Sequence, residues 1–196
     1  MADAVRGLFS SLESENALQA AVDTGREEDL YLEFKQKHNR SQPDVDEPDR
    51  KNLSKAVSAF ANATGGVLVF GVETKKVQDG PDRAVALKPI ANAPAFLRRL
   101  QESVLNTTQP VVDDVEFRCI PSLLEAGAGY VACLIPESDK TPHRAMFANR
   151  EYWRRTTNGA RRLEHIDLED MFGRRPRPLL RAVLELRPYL LSENQV

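Results

Sequence analysis

The chain has 196 residues and a mass of 22.0 kDa, enough for one domain or one domain with an appendage. Apolar residues make up 41% and charged residues 29%, which excludes wholesale disorder. The longest apolar run, Val67 to Val72, is too short to span a bilayer. The N-terminus lacks the basic start and apolar core of a secretory leader, so triplets such as Asn62-Ala63-Thr64 carry no glycosylation message. Two cysteines, Cys119 and Cys133, can build neither a disulfide framework nor a tetrahedral zinc site alone. The expectation is a cytoplasmic domain without a membrane partner.

The net charge of −2 is unevenly spread. Residues 1–139 hold 15 Lys/Arg against 22 Asp/Glu, whereas residues 140–196 hold 12 against 7. The basic excess of the last third suits an anionic partner, although a charge run is also what a solvated face looks like.

In chain order, a first helix is expected from about Ser14 to Thr24, with Leu18, Ala21 and Val22 on one face and Gly25 as its left-handed stop. Leu30 to Lys35 alternates strictly: Leu30, Leu32 and Phe34 point one way and Tyr31, Glu33 and Lys35 the other, as in a strand with one buried face. Residues 38–50 read as a loop. The strongest helix runs from about Asp49, its expected cap, to Thr64, with Leu53, Ala56, Val57, Phe60 and Ala61 on the apolar side. Gly65-Gly66 ends it before Val67 to Val72, which is apolar on both faces and reads as a central strand. After a loop over 74–92, Asn92 and Pro94 open a helix bearing Leu97, Leu100, Val104 and Leu105. Strands follow around Val115–Cys119, Tyr130–Ile135 and Glu151–Arg155, then a short helix from Leu168 to Phe172 that stops at Gly173.

This order gives a mixed α/β fold, α+β-like, with a sheet of about five or six strands flanked by helices. Residues 1–173 form the domain. Arg174-Arg175-Pro176-Arg177-Pro178 reads as a linker, and Leu179 to Leu191 as an apolar helical segment that packs back or leads into a further domain.

No G-x-x-x-x-G-K-[ST] phosphate loop and no G-x-S-x-G elbow is present. His38, His143 and His165 lie too far apart for zinc-ligand spacing. Three other segments carry the signal: Glu28 to Lys35 around Leu32-Glu33-Phe34-Lys35, Ala59 to Gly66 leading into Phe70-Gly71-Val72, and Glu151-Tyr152-Trp153-Arg154-Arg155. In this order and spacing the chain resembles the Schlafen/AlbA-type domain family over roughly residues 14–172.

That resemblance implies an α/β fold and binding of nucleic acid, RNA or DNA. For Schlafen members it also implies endoribonuclease action on structured RNA such as tRNA, through three carboxylates and a metal, Mg²⁺ or Mn²⁺, with no organic cofactor. The carboxylates carry over to Glu28, Glu33 and Glu73, as catalytic residues and as metal ligands; Glu73 stands where the family nucleases have an aspartate.

The residues themselves support Glu33 best, on the polar face of the first strand, with Glu73 at the end of the central one. Carboxylates converging from two strands can hold divalent cations that polarise a phosphate and activate water. Equally, Glu33 can serve only to pair with Lys35 or an arginine. Glu28 shares a face with Glu33 only if the chain turns near Asp29. The Ala59–Gly66 segment reads as structural, with Asn62 hydrogen-bonding the loop.

The expected nucleic-acid contacts are Lys35, Arg144, Arg154, Arg155, Arg161 and Arg162. Tyr152-Trp153-Arg154-Arg155 would offer stacking beside phosphate contact, and the Thr156–Gly159 turn would return Arg161 and Arg162 to the same side. The rival reading is a non-catalytic regulatory or assembly module, binding DNA or protein within a larger protein; a homo-oligomer is compatible with either.

Overall fold

The computed structural model describes residues 2–78 and 80–173. The linker and C-terminal segment expected over 174–196 lie outside the described residues.

The elements in chain order are α1 (Ala2–Ser11), α2 (Glu15–Asp23), β1 (Leu32–Lys35), α3 (Glu47–Ala61), β2 (Gly66–Phe70), β3 (Val72–Lys75), β4 (Arg83–Leu87), α4 (Ala93–Val104), β5 (Thr108–Gln109), β6 (Glu116–Pro121), β7 (Gly129–Ile135), β8 (Arg144–Ala145), β9 (Trp153–Thr156), β10 (Gly159–Arg162) and α5 (His165–Gly173). The main sheet has the order β1-β2-β7-β6. Its β1–β2 pair is parallel and the others antiparallel. Parallel neighbours need a crossover, and α3 supplies it. The remaining strands form the hairpins β3–β4 and β9–β10 and the short pair β5–β8. The mixed fold is therefore as expected, with four strands in the main sheet and the rest in satellites.

Both faces of the sheet are covered. Val67 and Val69 of β2, with Tyr130, Ala132 and Leu134 of β7, pack under α1 and α2 against Val5, Phe9 and Leu18. Leu68 and Phe70, with Val131, Cys133 and Ile135, pack against Leu53, Val57 and Phe60 of α3 and Phe96 and Leu100 of α4. This double burial explains the unbroken apolar run in β2. It also corrects the expectation of one buried face for β1. Leu32 and Phe34 enter the α1–α2 core, and Glu33, pointing the other way, is only 4% exposed. Among the described residues no helix is long and apolar enough to cross a membrane.

Several local features depart from the sequence reading for identifiable reasons. The α3 cap is Asp46, whose carboxylate accepts from the Asp49 backbone at 3.3 Å. Asp49 instead turns inward to Lys37, 3.1 Å away, where both side chains are fully buried. The strand expected over 67–72 is broken at Gly71, which sits at φ +102°, where a Cβ would lie 2.7 Å from the Tyr130 ring. Gly66 is equally constrained, since a Cβ there would meet the Phe60 ring at 2.2 Å. The loop expected over 74–92 contains β4, and α1 and the two-residue strands β5 and β8 were not anticipated.

A polar stripe on α3 holds the backbone at Thr107, His143, Phe147 and Trp153. Ser54, Ser58 and Asn62 recur every fourth residue and so share one side of the helix. Ser54 donates to the Thr107 carbonyl at 2.6 Å and accepts from the Phe147 N–H at 3.1 Å. Ser58 donates to the His143 carbonyl at 2.7 Å and accepts from the Trp153 N–H at 3.1 Å. Asn62 donates to the His143 and Trp153 carbonyls and accepts from the His143 N–H at 2.7 Å. The structural role expected for Asn62 is what the geometry shows.

His143 is fully buried. Its Nδ1 lies 2.8 Å from the Pro110 carbonyl, which can only accept, so Nδ1 carries the proton and Nε2 accepts from Ser138 Oγ at 2.7 Å. Burial pushes its pKa below the ordinary histidine value.

Two outcomes follow. Phe60→Ala should destabilise by roughly 3–5 kcal/mol in urea unfolding, as deletion of a buried ring does. For His143, the unfolded chain binds the proton more readily, so its contribution is complete above about pH 6.5 and is lost as pH falls below that value. The urea midpoint should drop between pH 7.5 and pH 5.5, and His143→Gln should reduce that drop. An unchanged drop would assign it to other groups.

Candidate nucleic-acid interface

The site begins with the turn at Asp29. Its Oδ1 accepts from the Tyr31 N–H at 2.8 Å, bending the chain so that Glu28 and Glu33 meet. Between them lies Arg155 from β9, with a side chain only 1% exposed. Its Nη1 donates to Glu33 Oε2 at 2.6 Å and its Nη2 to Glu28 Oε2 at 3.3 Å. Nη2 and Nε also donate to the carbonyls of Leu32 and Asp29, at 2.7 and 2.9 Å. The guanidinium lies over the Phe60 ring, 5.2 Å from its centroid.

Lys35 completes the cluster. Its Nζ is 2.8 Å from Glu33 Oε1 and 3.7 Å from Glu28 Oε1. Burial opposes its charge, but Glu33 and Glu28 outweigh that and hold Lys35 above the ordinary lysine range. Burial likewise opposes the Glu33 charge, yet Lys35 and Arg155 keep its pKa below the usual carboxylate value. For Glu28 burial dominates over the help of Lys35, and the neighbouring Glu33 charge adds to it, so its pKa is raised.

These contacts bear on whether the residues fit a metal. Glu28 Oε1 accepts from the Phe34 N–H at 3.0 Å, so all four oxygens of the pair are engaged by N–H or cationic groups. A divalent cation would have to displace them. Glu73 is elsewhere: it lies on β3 opposite Ala86, pairs with Lys88 at 3.2 Å and does not line the cleft around Glu28 and Glu33. Among the described residues no three His, Cys, Asp or Glu side chains are grouped to share an ion. The structure brings Glu28 and Glu33 together and leaves Glu73 apart, an arrangement that does not fit a three-carboxylate metal centre.

The expected basic contacts separate just as sharply. Arg155 and Lys35 are engaged in the cluster, with Arg155 buried rather than presented to solvent. On the β9–β10 hairpin, Arg154 stands directly opposite Arg161, and Trp153 opposite Arg162. The pleat therefore sends Arg154 and Arg161 to one face and Trp153 and Arg155 to the other, against α3. Arg161 makes two bonds of 2.8 Å with Asp167, holding that carboxylate down at about 2. Arg162 pairs with Glu151 at 2.7 Å. Among the described residues Arg154 forms no ion pair. Arg144 donates to Gln109 at 3.0 Å and its backbone bridges Tyr152. Tyr152 packs edge-on against Phe172 of α5, and Trp153 is half-buried beneath Lys55, whose Nζ lies 4.4 Å from the ring centroid.

Lys55 is the residue that sequence reasoning missed. The apolar set on α3 drew attention to the core face, while Lys55 sits at its border and reaches over Trp153 into a cleft of about 350 Å³. Glu28, Glu33, Lys35, Arg155, Lys76 and Asp82 also line that cleft.

Comparison with known proteins agrees with this architecture. The family described as Schlafen, AlbA_2 matches residues 28–164, and the chain belongs to it. The match takes in the carboxylate pair, the helix-to-strand turn and the arginine hairpin. Among solved structures, the N-terminal domain of a RecG-related protein from Nitrosomonas europaea is similar at a TM-score of 0.50 and 19% identity, covering 79% of this chain and 97% of that one. The DIP2311 protein from Corynebacterium diphtheriae is similar at a TM-score of 0.48 and 14% identity, over 78% of this chain. The match spans only 27% of the length of that second protein. No curated protein matches the chain.

Arg155→Ala should cost about 3–5 kcal/mol in urea unfolding, because it strands two buried carboxylates. Adding Glu28→Gln and Glu33→Gln to Arg155→Met should recover much of that loss, whereas additive losses would mean that the three groups do not act as a unit.

Proposed function

We propose that this domain binds nucleic acid through the outer face of the β9–β10 hairpin and does not cut it. The observation that carries the reading is the Arg154–Arg161 pair. Like charges directly opposite each other on a hairpin are unfavourable. Here one carboxylate, Asp167, serves both, in contact with Arg161 and within the field of Arg154, with Glu164 adding to the field at Arg161. A phosphate backbone relieves that repulsion, and exchanging a surface ion pair for a phosphate contact costs little, because exposed pairs contribute only about 0–1 kcal/mol. Membership of the Schlafen, AlbA_2 family supports the same class of partner, as does the solved relative named for its relation to RecG, an ATP-dependent DNA helicase. The overall charge of −2 makes the attraction local to this face rather than a property of the whole chain.

Metal-dependent cleavage by Glu28, Glu33 and Glu73 is the weaker reading, since the first two are committed to Arg155 and Lys35 and the third stands apart. Glu28 and Glu33 act instead as the anchor that holds β9, and with it Arg154, at a fixed height above the sheet.

The test is fluorescence anisotropy with labelled single-stranded DNA, duplex DNA and structured RNA across a salt series. Arg154→Ala and Arg161→Ala should each weaken binding irrespective of sequence and flatten the salt slope by about one unit. Asp167→Asn, which removes the competing carboxylate, should tighten it. Parent-like affinity and slope in all three folded variants would remove the hairpin from the interface.

A further inference from the structure

Resting on the nucleic-acid reading, we infer that the cleft beneath the β9–β10 turn is a pocket for one phosphate group, with Lys55 as its anchoring cation. The cleft holds about 350 Å³, at the small end of small-molecule sites and too small for a duplex. Its lining carries both signs of charge. Arg155 and Lys35 neutralise Glu28 and Glu33. Among the described residues the rest of the lining sets Lys55 and Lys76 against Asp82, together with Asn158, Gly159 and Ala160 of the turn.

Lys55 is the distinctive group. Among the described residues it has no carboxylate at ion-pair distance, and its one close partner is the Trp153 ring, 4.4 Å from Nζ. It is half-buried, and the resulting desolvation holds its pKa below the ordinary lysine range. An ammonium that has lost part of its water but keeps unspent donors favours an acceptor rich in oxygen and negative charge, which a phosphate supplies and a neutral group does not. The ring beneath adds attraction for the cation without consuming a donor. Glu28 and Glu33 do not repel the ligand outright, because each already bonds to Arg155.

A phosphate can reach this pocket as the terminal group of a strand or as one link of its backbone, and the experiment separates the two. The full chain is titrated with inorganic phosphate while the Nζ and Cε resonances of Lys55 are followed by NMR. The chain is then tested by anisotropy against one twelve-nucleotide single strand prepared with a 5′-phosphate and with a 5′-hydroxyl. Inorganic phosphate should shift the Lys55 resonances in a saturable way and compete with the strand. Lys55→Gln should bind the strand about ten-fold more weakly, the loss expected for one charge-assisted contact, and Lys55→Arg should retain binding. A preference for the 5′-phosphate makes the pocket a reader of strand ends, and equal binding makes it a backbone site.

Lys55 resonances that do not respond to phosphate, with strand binding still dependent on Arg154, overturn the pocket and leave the hairpin interface standing. A saturable phosphate response in a chain that binds no strand supports the pocket and overturns the nucleic-acid reading. The titration of the parent protein decides the case even if Lys55→Gln does not fold.

Discussion

The interaction on which this structure depends is the insertion of Arg155 between Glu28 and Glu33. A guanidinium that is 1% exposed is tolerable only if its charge and donors are met, and here two carboxylates and two carbonyls meet them. The converse also holds: neither carboxylate could stay ionised at this depth without a cation. The cluster therefore joins the start of the sheet to β9, some 120 residues later, and fixes the satellite hairpin against α3. The polar stripe of Ser54, Ser58 and Asn62 does the same work on the neighbouring backbone with neutral groups.

One consequence is a division of labour between adjacent arginines. Because side chains alternate across a strand, burying Arg155 obliges Arg154 to face outward, where β10 sets Arg161 beside it. The inner arginine is structural, and the outer one forms no ion pair among the described residues. The same pleat explains Glu33, which is carried inward because Leu32 and Phe34 must enter the opposite core. Polarity alone does not decide exposure when a sheet is covered on both faces.

Much of the fold was legible in the sequence, and the omissions have common causes. The α2, α4 and β2 segments announce themselves through Ser14, Asn92-x-Pro94 and the unbroken run at 67–70, because caps and burial leave local marks. The Asp29 turn needed to unite Glu28 and Glu33 was also readable, since a straight strand would oppose them. What was not readable is pairing at a distance. Nothing local says that Arg155 would reach back to Glu28, that Asp49 would yield its capping place to Asp46 and bind Lys37, or that Glu73 would pair with Lys88. Lys55 was hidden for the related reason that its partner ring, Trp153, lies almost a hundred residues away.

The central claim is that Arg155 and Lys35, rather than a metal ion, balance the Glu28–Glu33 pair. Titration of the full chain with Mn²⁺, followed by the electron paramagnetic resonance signal of the free ion, tests it directly. The account predicts a free-ion signal that falls only weakly with added protein and identically for the parent and Glu33→Gln. One tightly held Mn²⁺ per chain, lost in Glu33→Gln, would contradict it.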